Sequence, residues 1–253
     1  MGALDGKTVV VTGGGQGIGA GISEAMLDAG ANLFVVQRSP LPAALADHKN
    51  VEWIQADLAH PDSYGAVAEA LESRVTAVHA LVNNAGFMFE KALDDMSLDD
   101  WNRMLAVNLT APAFLGRALL PLLRAAEGAS IVNIGSIEGL AANPEHAAYC
   151  ATKAGIHGLS KALAVDLGRD GVRVNAIAPG WIRSDLSDDY INAQADPAAA
   201  WQGLERMHPA GRVGVPADVG QLAVYLASDA ASFVTGQIIV IDGGRTSKLP
   251  LPF

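Results

Sequence analysis

Seven short runs rich in β-branched and aliphatic residues recur along the chain, at 7–12, 33–37, 51–56, 80–83, 130–134, 172–178 and 237–241. Most are nearly continuous in Val, Ile, Leu and Ala instead of alternating with polar residues, which is the pattern of strands buried on both faces. Stretches with helical character fill the gaps, at 18–29, 63–73, 98–124 (interrupted near Pro112 and Pro121), 148–169 and 217–227. An alternation of this kind predicts an α/β protein, a doubly wound sheet of about seven parallel strands with helices on both faces. Right-handed crossovers then bring every strand's carboxyl end to one edge, where ligands bind at the switch point of the strand order. No linker, repeat or shift in composition divides the 253 residues, so a single domain over 1–253 is expected.

Composition excludes several classes of function. Half the residues are hydrophobic and 27 are glycine without a collagen period, which argues against a disordered or fibrous chain. Asp and Glu outnumber Lys and Arg by 27 to 17, giving a net charge of −10, the wrong sign for a nucleic-acid backbone or an anionic membrane. Cys150 is the single cysteine, so neither an internal disulfide nor a thiolate metal cluster can be built, and a reducing, cytoplasmic setting is expected. The first residues show no secretory pattern, and no apolar run reaches the length of a membrane span. Ser247-Lys248-Leu249 is followed by four more residues, so it is not a terminal peroxisomal address. Without a secretory signal, the Asn108-Leu109-Thr110 sequon carries no glycosylation reading.

Two segments carry chemistry. The first apolar run leads directly into Thr12-Gly13-Gly14-Gly15-Gln16-Gly17-Ile18-Gly19 and then a helical stretch. Glycines there permit positive φ and close backbone approach, and the N–H groups at a helix start attract a pyrophosphate. Glycine turns also join many strands to helices without binding anything. The second segment is Tyr149-Cys150-Ala151-Thr152-Lys153, where Tyr and Lys share a helix face at i and i+4. A nearby ammonium favours the phenolate and draws its pKa from about 10 toward working pH, making proton exchange with an alcohol oxygen feasible. The same spacing arises by chance as a packed ring and a solvated amine.

Taken together with Asn83-Asn84-Ala85-Gly86, with Ser136 thirteen residues before Tyr149 and with Pro179-Gly180, these motifs resemble the short-chain dehydrogenase/reductase family in order and spacing. The resemblance runs from Lys7 to Asp242-Gly243-Gly244. It implies hydride transfer between a nicotinamide cofactor and a secondary alcohol or ketone, with Tyr149 as general acid/base. Lys153 would lower the tyrosine pKa and hold the nicotinamide ribose, Ser136 would hold the substrate oxygen, and Asn108 would kink a helix and anchor a water of the proton relay. For the cofactor, the resemblance implies Gly13, Gly17, Ile18 and Gly19 at the pyrophosphate, and Asp57 and Leu58 at the adenine. Asn83 and Gly86 would lie near the adenosine ribose, and Pro179, Gly180, Ile182 and Ser184 near the nicotinamide. Asp57 could instead cap a turn before Pro61, and Asn83 could tie one strand to another.

At the end of the second strand an acid binds the ribose hydroxyls of NAD, whereas Arg attracts the 2′-phosphate of NADP. Gln37 and Arg38 stand there, so NADP is favoured over NAD. For the substrate, Glu138, Asn143, Trp181, Trp201 and Met207 are candidate contacts, with a lid over about 184–212; the aromatic and sulfur side chains could equally be packing beneath that lid. Glu138, two residues after Ser136, could meet a substrate hydroxyl or amine, or could be a loop acid in solvent. Acids at 94, 95, 99 and 100 follow a helix-start pattern at Ser97, and no metal is assigned. The family resemblance implies a homotetramer whose dimer surface includes the 98–124 stretch and the helix of Tyr149. The apolar tail at 245–253 is expected to pack across a subunit boundary or to fray.

Overall fold

The protein is described by a computed structural model over residues 2–249. All seven expected strands form and pair in parallel: β1 (Thr8–Thr12), β2 (Asn32–Gln37), β3 (Val51–Gln55), β4 (Ala80–Asn83), β5 (Ser130–Ile134), β6 (Arg173–Pro179) and β7 (Ile238–Ile241). Their order is β3-β2-β1-β4-β5-β6-β7, so the winding reverses between β1 and β4. That reversal opens a crevice at the carboxyl edge.

The continuous apolar strands are explained by two cores. Val9, Val11, Leu33, Val35, Val82 and Val132 face one side, under Ile22 and Met26 of α1 (Gly17–Asp28) and Val219, Ala223 and Leu226 of the final long helix, Pro216–Ala227. Val10, Phe34, Val36, Leu81, Ile131 and Val174 face the other, under Val67 and Leu71 of Asp62–Glu72, Leu115 of Ala111–Ala118 and Leu167 of Ala147–Leu167. In chain order the helices are α1, α2 (Ala43–Ala46), α3 (Asp62–Glu72), α4 (Leu98–Leu105), α5 (Ala111–Ala118), α6 (Leu120–Ala125), α7 (Ala147–Leu167), α8 (Asp185–Asn192), α9 (Pro197–Met207) and α10 (Pro216–Ala227).

The long helical stretch breaks where proline dictates. Pro112 and Pro121 open α5 and α6, positions at which a missing N–H costs no helical bond. Ahead of α5 the chain widens into a π-helical turn, Ala106–Thr110, that carries Asn108 inward. Ser97 and Asp100 form a reciprocal capping box at the start of α4, and Lys91 pairs with Asp100, so that acidic group serves a helix start. The segment expected to form a lid holds two helices, α8 and α9, over a small core of Ile191, Leu204 and Val213. Among the described residues no helix is long and apolar enough to cross a membrane.

Candidate active site

The glycine turn sits at the switch point and is held from below by a clamp. Thr12, nearly fully buried, accepts through Oγ1 from the backbone N–H groups of Asn84 (3.0 Å) and Ala85 (2.9 Å). Asn84 returns two bonds, its Nδ2 donating to the carbonyls of Thr12 and Gly13 at 3.0 Å each. The turn from β1 to α1 is thereby fixed to the loop after β4. Gly17 opens α1 at φ 52°, a conformation costly to any side chain. At Gly19 a Cβ would collide with the carbonyl oxygen of Gly13, so only glycine lets helix and turn approach this closely. The Gln16 side chain does not cap α1, and the first residue of that helix borders a cleft of about 370 Å³ lined by Gly17, Arg183, Ser184, Asp188, Val215 and Pro216.

Several expected cofactor contacts have other partners. The Gln37 side chain accepts from Gly15 N (2.8 Å) and donates to the carbonyls of Ser39 and Pro40, so it braces the glycine turn. Arg38 is largely exposed and lies 3.7 Å from Asp57 Oδ2. Asp57 also accepts from Ala59 N at 3.0 Å, a local turn bond. The Leu58 side chain is in the core, so only its backbone is left for an adenine. Asn83 donates to Asn133 Oδ1 (2.8 Å), which continues through Asn133 Nδ2 to Ser160 Oγ (2.9 Å), so its side-chain amide joins β4 to β5 and α7. Ile18 is half-buried against the α1 side of the sheet. Pro179 ends β6, and Gly180 N donates to Ile241 O at 2.9 Å, fixing the exit into the lid. Ile182 bridges to Gly214, and Ser184 caps α8 beside Gly17.

The four expected catalytic side chains come from three elements. Ser136 follows β5; its Oγ accepts from Glu138 N at 3.1 Å and caps a single turn at Ile137–Gly139. Tyr149 and Lys153 lie on α7, with Lys153 Nζ 5.5 Å from the Tyr149 ring centroid and donating to Ile134 O at 2.8 Å. Asn108 reaches them from the π-helical turn: its amide accepts from Phe87 N (3.0 Å), donates to Phe87 O (2.8 Å), and approaches Thr152 Oγ1 at 3.4 Å. It thus locks the loop containing Gly86 against the helix of Tyr149.

Burial governs the charges. It pushes the Tyr149 phenol up to about 12, opposed by the Ser136 hydroxyl and reinforced by the Glu138 carboxylate. It brings Lys153 down to about 8. The expected lowering of the tyrosine pKa by the ammonium is therefore not what the structure shows, because desolvation of the phenolate outweighs a cation that is itself desolvated and bonded to a carbonyl.

On the substrate side, Glu138 accepts from Asn143 Nδ2 (3.0 Å), its Oε2 lies 2.6 Å from His146 Nδ1, and the Cys150 thiol points at it from 3.6 Å. His146, buried three residues before Tyr149, reaches Glu90 with its other nitrogen at 3.5 Å. Trp181 and Trp201 pack on the lid core, and Arg183 lies 4.6 Å over the Trp201 ring, so these two aromatics support the lid. Met207 ends α9 half-exposed and outside that core. Sequence reasoning missed the roles of Asn84, Arg183 and His146. Asn84 was visible beside Asn83; nothing in the sequence marked His146, whose partners lie 8 and 56 residues away.

The cleft suits a nicotinamide dinucleotide. An uncapped helix start and a backbone-lined turn that only glycine can form offer donors to a pyrophosphate, and Ser136 and Tyr149 lie farther along the same sheet edge. A family model described as enoyl-(acyl carrier protein) reductase matches residues 13–246. The oxidoreductase UcpA of Escherichia coli K12 is 37% identical over 254 residues, covering 97% of each chain. A 3-alpha-(or 20-beta)-hydroxysteroid dehydrogenase of Mycobacterium bovis is 36% identical, covering 98% of this chain and 92% of its own. Among solved structures, a gluconate 5-dehydrogenase of Burkholderia cenocepacia in complex with NADP and tartrate superposes with a TM-score of 0.89 at 31% identity, covering 97% of each chain. Fold, site and relatives agree on a Rossmann-type oxidoreductase that works with a nicotinamide cofactor. The chain belongs to the short-chain dehydrogenase/reductase family.

Proposed function

We propose that the protein interconverts a secondary alcohol and a ketone with NADP in preference to NAD, using Tyr149, Lys153, Ser136 and Asn108. The observation that carries this reading is the convergence of Ser136, Tyr149 and Lys153 on the sheet edge that also bears the glycine turn. A bound nicotinamide supplies or accepts the hydride. The protein supplies the proton and the placement. With its pKa pushed up to about 12, the Tyr149 phenol holds its proton at neutral pH and is ready to give it to a carbonyl oxygen that becomes an alkoxide. The Ser136 hydroxyl, already adjacent to the phenol, can donate to the same oxygen. As the phenol loses its proton, the Lys153 ammonium 5.5 Å from the ring stabilises the phenolate. Asn108 keeps the Phe87 backbone and α7 in register, so the proton donor does not drift.

Preference for NADP is supported by Gln37 in place of a ribose-binding carboxylate, by the exposed guanidinium of Arg38 beside it, and by the NADP bound to the gluconate 5-dehydrogenase relative. A homotetramer is supported by exposed apolar side chains such as Phe233, Val165 and Tyr225. The described part of the tail rests on its own lid, Lys248 donating to Arg206 O, and Pro250, Leu251, Pro252 and Phe253 lie outside the described residues.

The test is a screen of secondary alcohols and ketones with both cofactors, read at the nicotinamide absorbance, in the native protein and in Tyr149→Phe. Turnover is expected to fall on the order of a hundred- to ten-thousand-fold in the variant, with cofactor affinity nearly intact. Full activity of Tyr149→Phe would remove the assignment.

A further inference from the structure

None of the four proton-transfer roles falls to Glu138, yet the structure builds a support around it. Its side chain is only 16% exposed, and three groups fix it: Asn143 on one oxygen, His146 and the Cys150 thiol on the other. His146 is held in turn by Glu90, and the loop between them is tied down where Lys91 N donates to Glu145 O at 2.9 Å. The position of the carboxylate follows from the chain. Its own N–H donates to the Ser136 hydroxyl, it contacts the residue after Tyr149, and its charge acts on the Tyr149 phenol. A carboxylate has about four acceptor sites, and the protein fills three of them, so one acceptor remains at a wall shared with the two groups that would hold the reacting oxygen.

We propose that Glu138 is a specificity-determining residue: it accepts a hydrogen bond from a hydroxyl of an uncharged hydroxylated substrate and rejects substrates with a carboxylate near the reacting carbonyl. This rests on the oxidoreductase reading above and deepens it to a substrate class. His146 and Asn143 are positioning residues, because they hold the carboxylate without using its last acceptor. Glu90 adds a second acid on the same side; His146, when protonated, bridges the two carboxylates, and the Lys153 ammonium lies 5.5 Å from the Tyr149 ring, bonded to Ile134 O. A substrate carboxylate that takes the place of the hydroxyl at Glu138 therefore meets a like charge at contact distance. Two like charges about 6 Å apart at a protein-like effective dielectric repel enough to lower kcat/KM on the order of ten- to a hundredfold.

The experiment compares reduction of 4-hydroxy-2-butanone, 2-pentanone and acetoacetate, which place a hydroxyl, a methyl and a carboxylate at similar distances from a methyl ketone. The native protein is expected to rank them in that order by kcat/KM, with acetoacetate at least tenfold below 4-hydroxy-2-butanone. In Glu138→Gln that ratio should shrink by tenfold or more, chiefly through KM, and the pH profile of kcat should move to lower pH as a negative charge leaves the phenol. His146→Gln, which keeps the acid but loosens its support, should weaken the hydroxyl preference and retain the rejection of acetoacetate. Equal use of acetoacetate by the native protein, or an unchanged ratio in Glu138→Gln, overturns the proposal while leaving the oxidoreductase reading intact. Turnover of none of the three with either cofactor overturns the ketone-reduction reading, and this proposal with it.

Discussion

Replacing Thr12 by Val tests whether the glycine turn is held by one hydroxyl. The two side chains are nearly isosteric, so the change leaves no cavity and isolates the hydrogen bonds. It removes the acceptor for Asn84 N (3.0 Å) and Ala85 N (2.9 Å), and a weaker donation to Val82 O at 3.4 Å. An amide left without a partner in a buried site costs about 1–3 kcal/mol, and two such groups in a half-buried loop should cost about 2–4 kcal/mol together. For a chain of this size each kcal/mol lowers Tm by about 2–4 °C, so thermal unfolding by circular dichroism should show a drop of roughly 4–16 °C. Thr12→Ser keeps the oxygen and should stay within about 1 kcal/mol of the native protein. Calorimetric titration should also show weaker cofactor binding in the Val variant, because Gly13 and Asn84 lose their common anchor. A Val variant that melts within about 2 °C of the native protein, or a Ser variant that melts as low as Val, would refute the clamp.

Arg38→Ala should weaken NADP by about ten- to a hundredfold and leave NAD almost unchanged in calorimetric titration, as expected for one charge-assisted phosphate contact; equal losses for both cofactors would show that Arg38 acts only through Asp57. His146 should make stability fall as pH rises beyond 6.5. Burial opposes its charge, but bonds and charges from Glu138 and Glu90 outweigh that and raise its pKa above the ordinary 6.5. The stabilisation is therefore complete below 6.5 and lost as pH rises through the raised native value, and denaturant midpoints across that window should flatten in His146→Gln. Light scattering should give four times the chain mass, and a version truncated after Gly244 should dissociate or change kinetics if the tail crosses a subunit boundary.

The fold was legible because its signal is periodic and local. Each strand announced itself by an apolar run, and the helices that cover the sheet by their spacing or by a proline at their start, as at Pro112 and Pro121. The lid helices α8 and α9 were not recognised as helices. The acid-rich start of α8, Asp185-Leu186-Ser187-Asp188-Asp189, and the alanine run of α9 carry little periodic signal, and both helices pack on a small core shared with Val213 farther along the chain. At the site, motif spacing brought Ser136, Tyr149, Lys153 and Asn108 to one place, but it could not show which atoms of the other candidates were already engaged. Gln37 and Asn83 illustrate the difference, since residue type suggested ligand contacts while their amides bond the glycine turn and a neighbouring strand.

The proton chemistry lies furthest from the sequence, because it depends on desolvation and not on spacing. An i, i+4 pair of Tyr and Lys on an exposed helix face would give a lowered phenol. Here α7 presses both groups into the protein, so the phenol rises to about 12 and the ammonium falls to about 8. The two shifts have one cause and opposite signs in charge, each favouring the neutral form of its group. The pair therefore holds its proton on the tyrosine until a nearby developing negative charge demands it. The Ser136 hydroxyl favours loss of that proton and the Glu138 carboxylate opposes it, so the acid that would select hydroxylated substrates would also keep the donor protonated. On that proposal, specificity and proton supply would be coupled through one carboxylate, two residues beyond the serine.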